Sequence, residues 1–158
     1  MDTQKCLFCR IVAREEPAYI IREDDKYIAF LDAFPLVEGQ TVVMPKKHFS
    51  GHAFDMPTDE LKELMAFTQL VSKQLNLGLG AERCMHVTQG YAIDHAHTKL
   101  FPVKEVKEKV VDGKTYSELI GLLKSKWYSG FIISMSGKER ESDEKLKELA
   151  ARIMAKAT

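Results

Sequence analysis

The chain has 158 residues, of which 45% are hydrophobic and 29% are charged, and its formal net charge is zero. This length suits one domain with a sizeable core, and the neutral charge disfavours a basic nucleic-acid-binding protein. No apolar run approaches the length needed to cross a bilayer, and the N-terminus is too charged for a signal-peptide core, so we expect a cytoplasmic protein.

The first part of the chain predicts a short helix followed by three strands. Residues 6–14 place apolar side chains on one helical face, and Pro17 ends that helix. Residues 19–22 and 27–32 have the composition of strands, and a charged turn between them predicts a hairpin. Residues 40–44 predict a third strand.

The middle of the chain predicts one long helix and two further strands. Residues 58–76 follow helical spacing, and we expect Gly78 to end the helix. Residues 83–89 and 94–101 have strand character. Strands followed by isolated helices, without regular alternation, predict an α+β domain with a mainly antiparallel sheet.

The last part of the chain contains one predictable element. Residues 103–140 are first charged and then apolar, and their pattern leaves their secondary structure open. Ser142 predicts the N-cap of a final amphipathic helix. We interpret this helix as an ordinary packed terminal helix.

Two histidines and a lysine alternate in the second of the two later strands. Alternate side chains of a strand point to the same face, about 7 Å apart, so His95, His97 and Lys99 would form an anion platform. Imidazole can also act as a nucleophile or a metal ligand. The alternative is that both histidines are merely exposed on an edge strand.

A Cys-x-x-Cys pair lies on the first predicted helix. Cys6 and Cys9 are three positions apart, so they share a helical face and can bind one metal ion. A tetrahedral zinc needs two more ligands, for which His48 and His95 are candidates. A redox pair and two buried thiols are equally open alternatives for this motif taken alone.

Three segments, taken together, resemble the histidine-triad (HIT) family. They are the opening stretch of residues 6–32, the VVMPKKHF segment, and QGYAIDHAHTKLFP, which occur in the family order. The resemblance covers about residues 6–102, roughly two thirds of the chain. It implies a HIT-like fold, in which helices flank an antiparallel sheet of about five strands. We expect a single domain over residues 1–158, with residues 103–158 as a C-terminal extension.

The resemblance also implies an activity and a partner. Family members hydrolyse or transfer groups at the α-phosphate of nucleoside phosphoramidates, dinucleoside polyphosphates or nucleotidyl adducts, and usually form homodimers that pool their sheets. His97 matches the histidine that forms a nucleotidyl–histidine intermediate, which splits one difficult displacement into two easier steps. A purine nucleotide such as AMP is the expected ligand, and no nucleic acid or membrane partner is expected.

The resemblance implies ligand-binding roles for several residues of this chain. Family members with the N-terminal Cys-x-x-Cys form a structural zinc site, which here implies Cys6, Cys9, His48 and His95 as ligands. Asp32 matches the acidic residue that holds the ribose hydroxyls.

Other matched positions imply contacts with the base and the phosphate. Phe8, Ile11 and Phe30 are candidates for the base pocket, with plain core packing as the alternative. Thr88 and Gln89 lie where the family contacts phosphate, although the loop that follows is shorter than in many members.

Lys99 stands where the family has a third histidine. A lysine carries a fixed charge and three donors, so it can bind a phosphate oxygen, but it does not readily shuttle a proton near pH 7. We therefore expect phosphate binding to survive and catalysis to be altered. Cys84 and His86 are interpreted as structural, and Trp127 and Tyr128 are the residues of interest in the extension.

Three functions compete on these observations. The first is a nucleotide hydrolase with His97 and Lys99 in its catalytic centre. The second is a zinc-stabilised nucleotide-binding module that has lost turnover through Lys99. The third, a redox protein using Cys6 and Cys9, leaves the His95–Lys99 segment unexplained.

Overall fold

An antiparallel sheet of five strands forms the centre of the molecule. The computed structural model describes residues 6–88, 90, 92–104, 110–111, 114–115 and 139–156. The strands are β1 (Ile20–Glu23), β2 (Tyr27–Leu31), β3 (Thr41–Pro45), β4 (Arg83–Thr88) and β5 (Thr98–Val103). Their spatial order is β1-β2-β3-β5-β4, and each neighbouring pair is antiparallel. The predicted α+β fold with an antiparallel five-stranded sheet is confirmed.

In the described part of the chain, three helices flank this sheet. They are α1 (Leu7–Val12), α2 (Thr58–Leu79) and α3 (Asp143–Met154), and a short 3₁₀ turn spans Ala53–Asp55. Two short strands, β6 (Val110–Val111) and β7 (Lys114–Thr115), pair with each other. None of the helices in the described part of the chain combines the length and the apolarity that a membrane span needs. Trp127 and Tyr128 lie outside the described residues.

The two faces of the sheet bury different sets of side chains. All five residues of β2 are buried, and alternate residues of a strand point to opposite faces. Ala29 and Leu31 belong to the main core that α2 and α3 complete. Ile28 and Phe30 belong to a second cluster that contains residues of α1. Helix α1 and the two longer helices therefore contribute to separate clusters.

The long helix runs further than the sequence predicts. Gly78 was the expected end, but α2 continues through Leu79 and ends at Gly80, which has a φ of 65°. That left-handed conformation favours glycine. Gly78 lies inside the helix, and its lack of a side chain allows Ile153 of α3 to pack closely, since a Cβ there would lie 2.7 Å from the Ile153 Cα.

The strand that carries the histidine pattern begins later than expected. The prediction was residues 94–101, whereas β5 starts at Thr98. His95 and His97 therefore precede the strand, in a segment where the His95 N–H donates to the Ile93 carbonyl at 2.8 Å. Because of this local turn, His95 and His97 do not follow the alternation of side chains along a strand, on which the prediction of a shared face was based.

Candidate functional site

Four side chains from three separate segments meet beside α1. Cys6 precedes the helix, Cys9 lies within it, His48 follows β3, and His95 precedes β5. Their four donor atoms all lie within 4.8 Å of one another. The Cys9 Sγ is 3.3 Å from the His48 Nδ1, and the His95 Nδ1 is 3.6 Å from both sulfurs. A tetrahedral zinc requires sulfur–nitrogen separations of about 3.5 Å, so these residues fit such an ion.

Hydrogen bonding and burial prepare His95 to act as a ligand. Its Nε2–H donates to the Pro45 carbonyl at 2.9 Å, which leaves the Nδ1 lone pair facing the two sulfurs. Burial lowers the pKa of His95 to about 4, so the ring is neutral at pH 7. Burial, together with the neighbouring Cys6 thiol, raises the pKa of Cys9 to about 11. A bound cation would stabilise the thiolate that this environment disfavours.

His97 has the opposite tautomer. Its Nδ1–H donates to the His95 backbone carbonyl at 2.7 Å, so Nε2 is the nitrogen that keeps its lone pair. Burial lowers the pKa of His97, which keeps the imidazole neutral at pH 7. The Phe8 ring contacts it edge to face, with centroids 5.1 Å apart. The result is a rigid, uncharged imidazole that can act as a nucleophile.

A cavity of about 460 Å³ lies next to His97. This volume is within the range of small-molecule sites. Phe8, Ile11 and Phe30 line it and are at most 6% exposed. The same three side chains belong to the second hydrophobic cluster. They therefore pack in the core and line the cavity at the same time, so the two interpretations of these residues are compatible.

A buried ion pair forms part of the cavity wall. Asp32 directly follows β2, and its Oδ2 accepts from the Lys99 Nζ at 2.7 Å. The same oxygen accepts from the Gln40 Nε2 at 2.7 Å, and the Asp32 Oδ1 accepts from the Phe34 N–H at 2.9 Å. The Lys99 and Asp32 side chains are 10% and 9% exposed. The structure thus brings Asp32, His97 and Lys99 to one cavity.

The remaining predicted residues lie in different places. Thr88 ends the edge strand β4, contacts His86, and is not among the residues lining the cavity. Gln89 lies outside the described residues. The Cys84 thiol donates to the Asn76 side chain of α2 at 3.3 Å, which agrees with a structural role.

Sequence reasoning missed three residues of this region. Gln40 is 1% exposed and bonded to Asp32, but an isolated glutamine before a strand carries no chemical signature. Tyr19 and Arg140 also line the cavity. Arg140 comes from the segment before α3, far from the family-like segments, so no sequence pattern pointed to it.

A family model and several known proteins match this chain in sequence. The HIT domain model matches residues 13–106. An uncharacterised HIT-like protein of Methanocaldococcus jannaschii is 34% identical over 111 residues, 67% of this chain and 84% of that protein. An uncharacterised HIT-like protein of Mycoplasma genitalium is 46% identical over 77 residues, and this match spans only 51% of its length. Adenosine 5'-monophosphoramidase HNT1 of Saccharomyces cerevisiae is 28% identical over 114 residues, 68% of each chain.

Solved structures have the same fold. A hypothetical histidine triad nucleotide-binding protein of Sulfolobus tokodaii is 26% identical, with a TM-score of 0.71 over 96% of this chain and 91% of that one. A zinc-bound histidine triad family protein of Mycobacterium smegmatis is 22% identical, with a TM-score of 0.68 over 98% and 94%. The second likeness concerns the fold alone. The domain match, the Methanocaldococcus relative and the shared fold show that this chain belongs to the HIT family.

Proposed function

We propose that this protein is a nucleotide hydrolase or transferase that acts at the α-phosphate through a nucleotidyl–histidine intermediate on His97. The observation that carries the proposal is the hydrogen bond from the His97 Nδ1 to the His95 carbonyl, which leaves Nε2 as a neutral nucleophile beside the cavity. Expected substrates are nucleoside phosphoramidates, dinucleoside polyphosphates and nucleotidyl adducts. The name of the yeast relative, a monophosphoramidase, supports this reaction class.

The reaction proceeds in two displacements. The Nε2 lone pair attacks the α-phosphorus, a P–N bond forms, and the leaving group departs with its electron pair. Water then attacks the same phosphorus, the electron pair of the P–N bond returns to Nε2, and a proton passes to solvent. The products are a nucleoside monophosphate and the free, neutral His97.

The cavity supports a purine nucleotide as the ligand. Its apolar wall of Phe8, Ile11 and Phe30 suits a flat base, and the Asp32 carboxylate suits a ribose hydroxyl. Contacts of Thr88 and Gln89 with phosphate stay predictions. The homodimer implied by the family also stays a prediction; β1 and β4 are the edge strands of the described sheet, and sedimentation equilibrium would measure the mass.

The experiment for the nucleophile compares turnover of an adenosine phosphoramidate and of diadenosine tetraphosphate. We expect His97→Ala to lower kcat at least about 10³-fold, because no other imidazole lines the cavity among the described residues. His52→Ala is the matched control, since His52 is exposed, pairs with Asp55 and is not among the residues that line the cavity. Mass spectrometry of the denatured wild type should show one nucleotidyl group on His97. Equal turnover by His97→Ala would exclude the proposal.

A second candidate function is a nucleotide-binding module with little turnover. The observation that favours it is the ion pair between Lys99 and Asp32, because the residue in the third triad position is engaged with a carboxylate. In that case wild type and His97→Ala both bind AMP, and neither releases AMP from the substrates. Lys99→His would then show whether the missing third histidine is the reason.

We also propose that Cys6, Cys9, His48 and His95 hold a structural zinc ion. A zinc with four protein ligands has no open position, so it supplies stability and no chemistry. Its ligands would tie α1 to the ends of β3 and β5. The two imidazole nitrogens beside the thiols support a metal site over a redox pair.

Metal analysis tests the zinc site. Protein purified without chelator should contain about one zinc per chain, and chelation should lower Tm. Cys9→Ser should lower the zinc content, whereas Cys84→Ser, which changes a thiol outside the cluster, should not. Less than about half an equivalent of zinc, with freely reactive Cys6 and Cys9, would count against the site.

A further inference from the structure

Lys99, at the third position of the triad, directs its ammonium to the Asp32 carboxylate, which follows β2. The Lys99 Nζ donates to the Asp32 Oδ2 at 2.7 Å, and both side chains are about nine-tenths buried. Gln40 and the Phe34 N–H hold the same carboxylate from other directions. Asp32 therefore receives three protein donors, and Lys99 is one member of this buried cluster.

The Lys99 ammonium and the Asp32 carboxylate balance each other's charge in a buried site. A lysine ammonium, with an ordinary pKa of about 10.4, is a poor general acid near neutral pH. Lys99 is accordingly suited to orient Asp32 and unsuited to protonate a departing group.

Other titratable side chains that line the cavity have partners of their own. Within the described residues, Glu16 pairs with Arg10 at 2.6 Å, and Arg140 pairs with Asp143 at 2.7 Å. Tyr19 is bonded to Asp143 as well, which raises its pKa. These groups are held in surface ion pairs and hydrogen bonds, so the described cavity offers no obvious substitute for a proton donor.

Leaving groups differ in their need for such a donor. When the His97 Nε2 forms its bond to phosphorus, the electron pair of the breaking bond goes to the leaving atom. A phosphate, sulfate or carboxylate oxygen carries that pair as an anion at neutral pH. An amine nitrogen must take up a proton as the bond breaks, and a positioned acid typically contributes about 10²–10⁴-fold to such a step.

We infer that Lys99 is a positioning residue for Asp32, and that the preferred substrates are nucleotidyl compounds whose leaving group departs as a stable oxyanion. Nucleotidyl phosphates, sulfates and carboxylates belong to this class, and phosphoramidates are disfavoured. This inference rests on the proposed function of His97. It narrows the substrate class of the same site.

The test uses a series of AMP esters of substituted phenols, which changes only the acidity of the leaving group. For the wild type we expect kcat/KM to fall about threefold or more for each unit rise in the pKa of the phenol, since no acid assists its departure. Lys99→Gln should lower kcat/KM by one common factor across the series, chiefly by raising KM, and should weaken AMP binding. Lys99→Arg, which keeps the charge, should recover AMP binding.

The possible results separate the two proposals. AMP release that is insensitive to the phenol, or a Lys99→Gln loss that grows as the phenol becomes less acidic, would overturn the inference and leave the function of His97 intact. Absence of AMP release from every ester would overturn both. Should Lys99→Gln fail to fold, as judged by circular dichroism, the wild-type series and Lys99→Arg decide the question.

Discussion

At the residue scale, His95 and His97 show how hydrogen bonding can prepare the same type of side chain for two different roles. His95 uses Nε2 to donate to the Pro45 carbonyl and turns Nδ1 to the cysteines. His97 uses Nδ1 to donate to the His95 carbonyl and keeps the lone pair on Nε2. Two different backbone acceptors therefore select two different tautomers. These hydrogen bonds distinguish the proposed ligand, His95, from the proposed nucleophile, His97, since the residue type is the same.

The Asp32–Lys99 pair gives a prediction at the same scale. Asp32→Ala leaves the buried Lys99 ammonium without its carboxylate, so we expect a loss of roughly 3–5 kcal/mol in the free energy of unfolding. The double variant with Lys99→Met removes that charge and should recover part of the loss. Urea unfolding measures both values. Asp25→Ala, in the exposed turn before β2, is the control and should change stability by less than about 0.5 kcal/mol.

At the scale of elements, α1 depends on its surroundings. It has six residues, and its N-cap, Cys6, makes no side-chain capping bond. A helix this short is not stable alone in water. Phe8 and Ile11 bury its inner face, and the Cys/His cluster joins it to the segments after β3 and before β5. The sheet therefore determines where this helix lies.

The end of β1 carries a charge cluster that predicts a pH dependence. Glu23 pairs with Lys46, which follows β3, at 2.8 Å and with Arg14, which follows α1, at 2.6 Å. Hydrogen bonding to Lys46, and then to Arg14, lowers the pKa of Glu23 in the folded protein. The pairs therefore stabilise the fold above the pKa of the unfolded glutamate, 4.5, and this contribution is lost as the pH falls through the lower folded value.

The variant Glu23→Gln tests the direction of this pH dependence. At pH 7 it should be less stable by about 0.5–1 kcal/mol, a modest value because the pairs are partly exposed. The difference from wild type should shrink below pH 4.5. Glu148→Gln, at an exposed position of α3, is the matched control for loss of one negative charge. Thermal unfolding at several pH values gives the comparison, and a difference that persists at low pH would contradict the assignment.

At the scale of the whole molecule, α3 completes the core although it lies beyond the matched residues 13–106. Leu146 is 1% exposed and Ile153 is fully buried, and both join the main cluster with α2. The close approach at Gly78 brings the two helices together. This packing supports the prediction that the last helix and the family-like segment form one folding unit.

This packing predicts that the C-terminal helix matters for global stability. Ile153→Ala should lower the free energy of unfolding by about 2–5 kcal/mol, the usual cost of such a cavity in a core. Its neighbour Met154 is 53% exposed, so Met154→Ala should cost far less. Denaturant unfolding followed by both circular dichroism and fluorescence should give one coincident transition. Separate transitions would mean that α3 is not part of the cooperative unit.

Much of the site was predictable because its chemistry resides in residue types and short spacings. The Cys-x-x-Cys pair and the His48 segment indicated a metal centre, and those donors do meet. Periodicity predicted the elements, with bounds that differ from the observed ones by a few residues. It was wrong about the end of α2 at Gly78, because the helix ends at the left-handed Gly80, and the glycine at position 78 accommodates Ile153 from across the fold.

Residue order by itself determined the fold class and, through the resemblance of three segments, the family and the predicted ligand set, since local periodicity and donor chemistry are properties of short segments. Only the tertiary structure decided that Gln40 holds Asp32, that Lys99 pairs with this carboxylate, and that Arg140 lines the cavity. The physical reason is that Asp32 and Lys99 are 67 positions apart in the chain. Their contact arises because β2 and β5 both lie beside β3, and no pattern along the sequence encodes that neighbourhood.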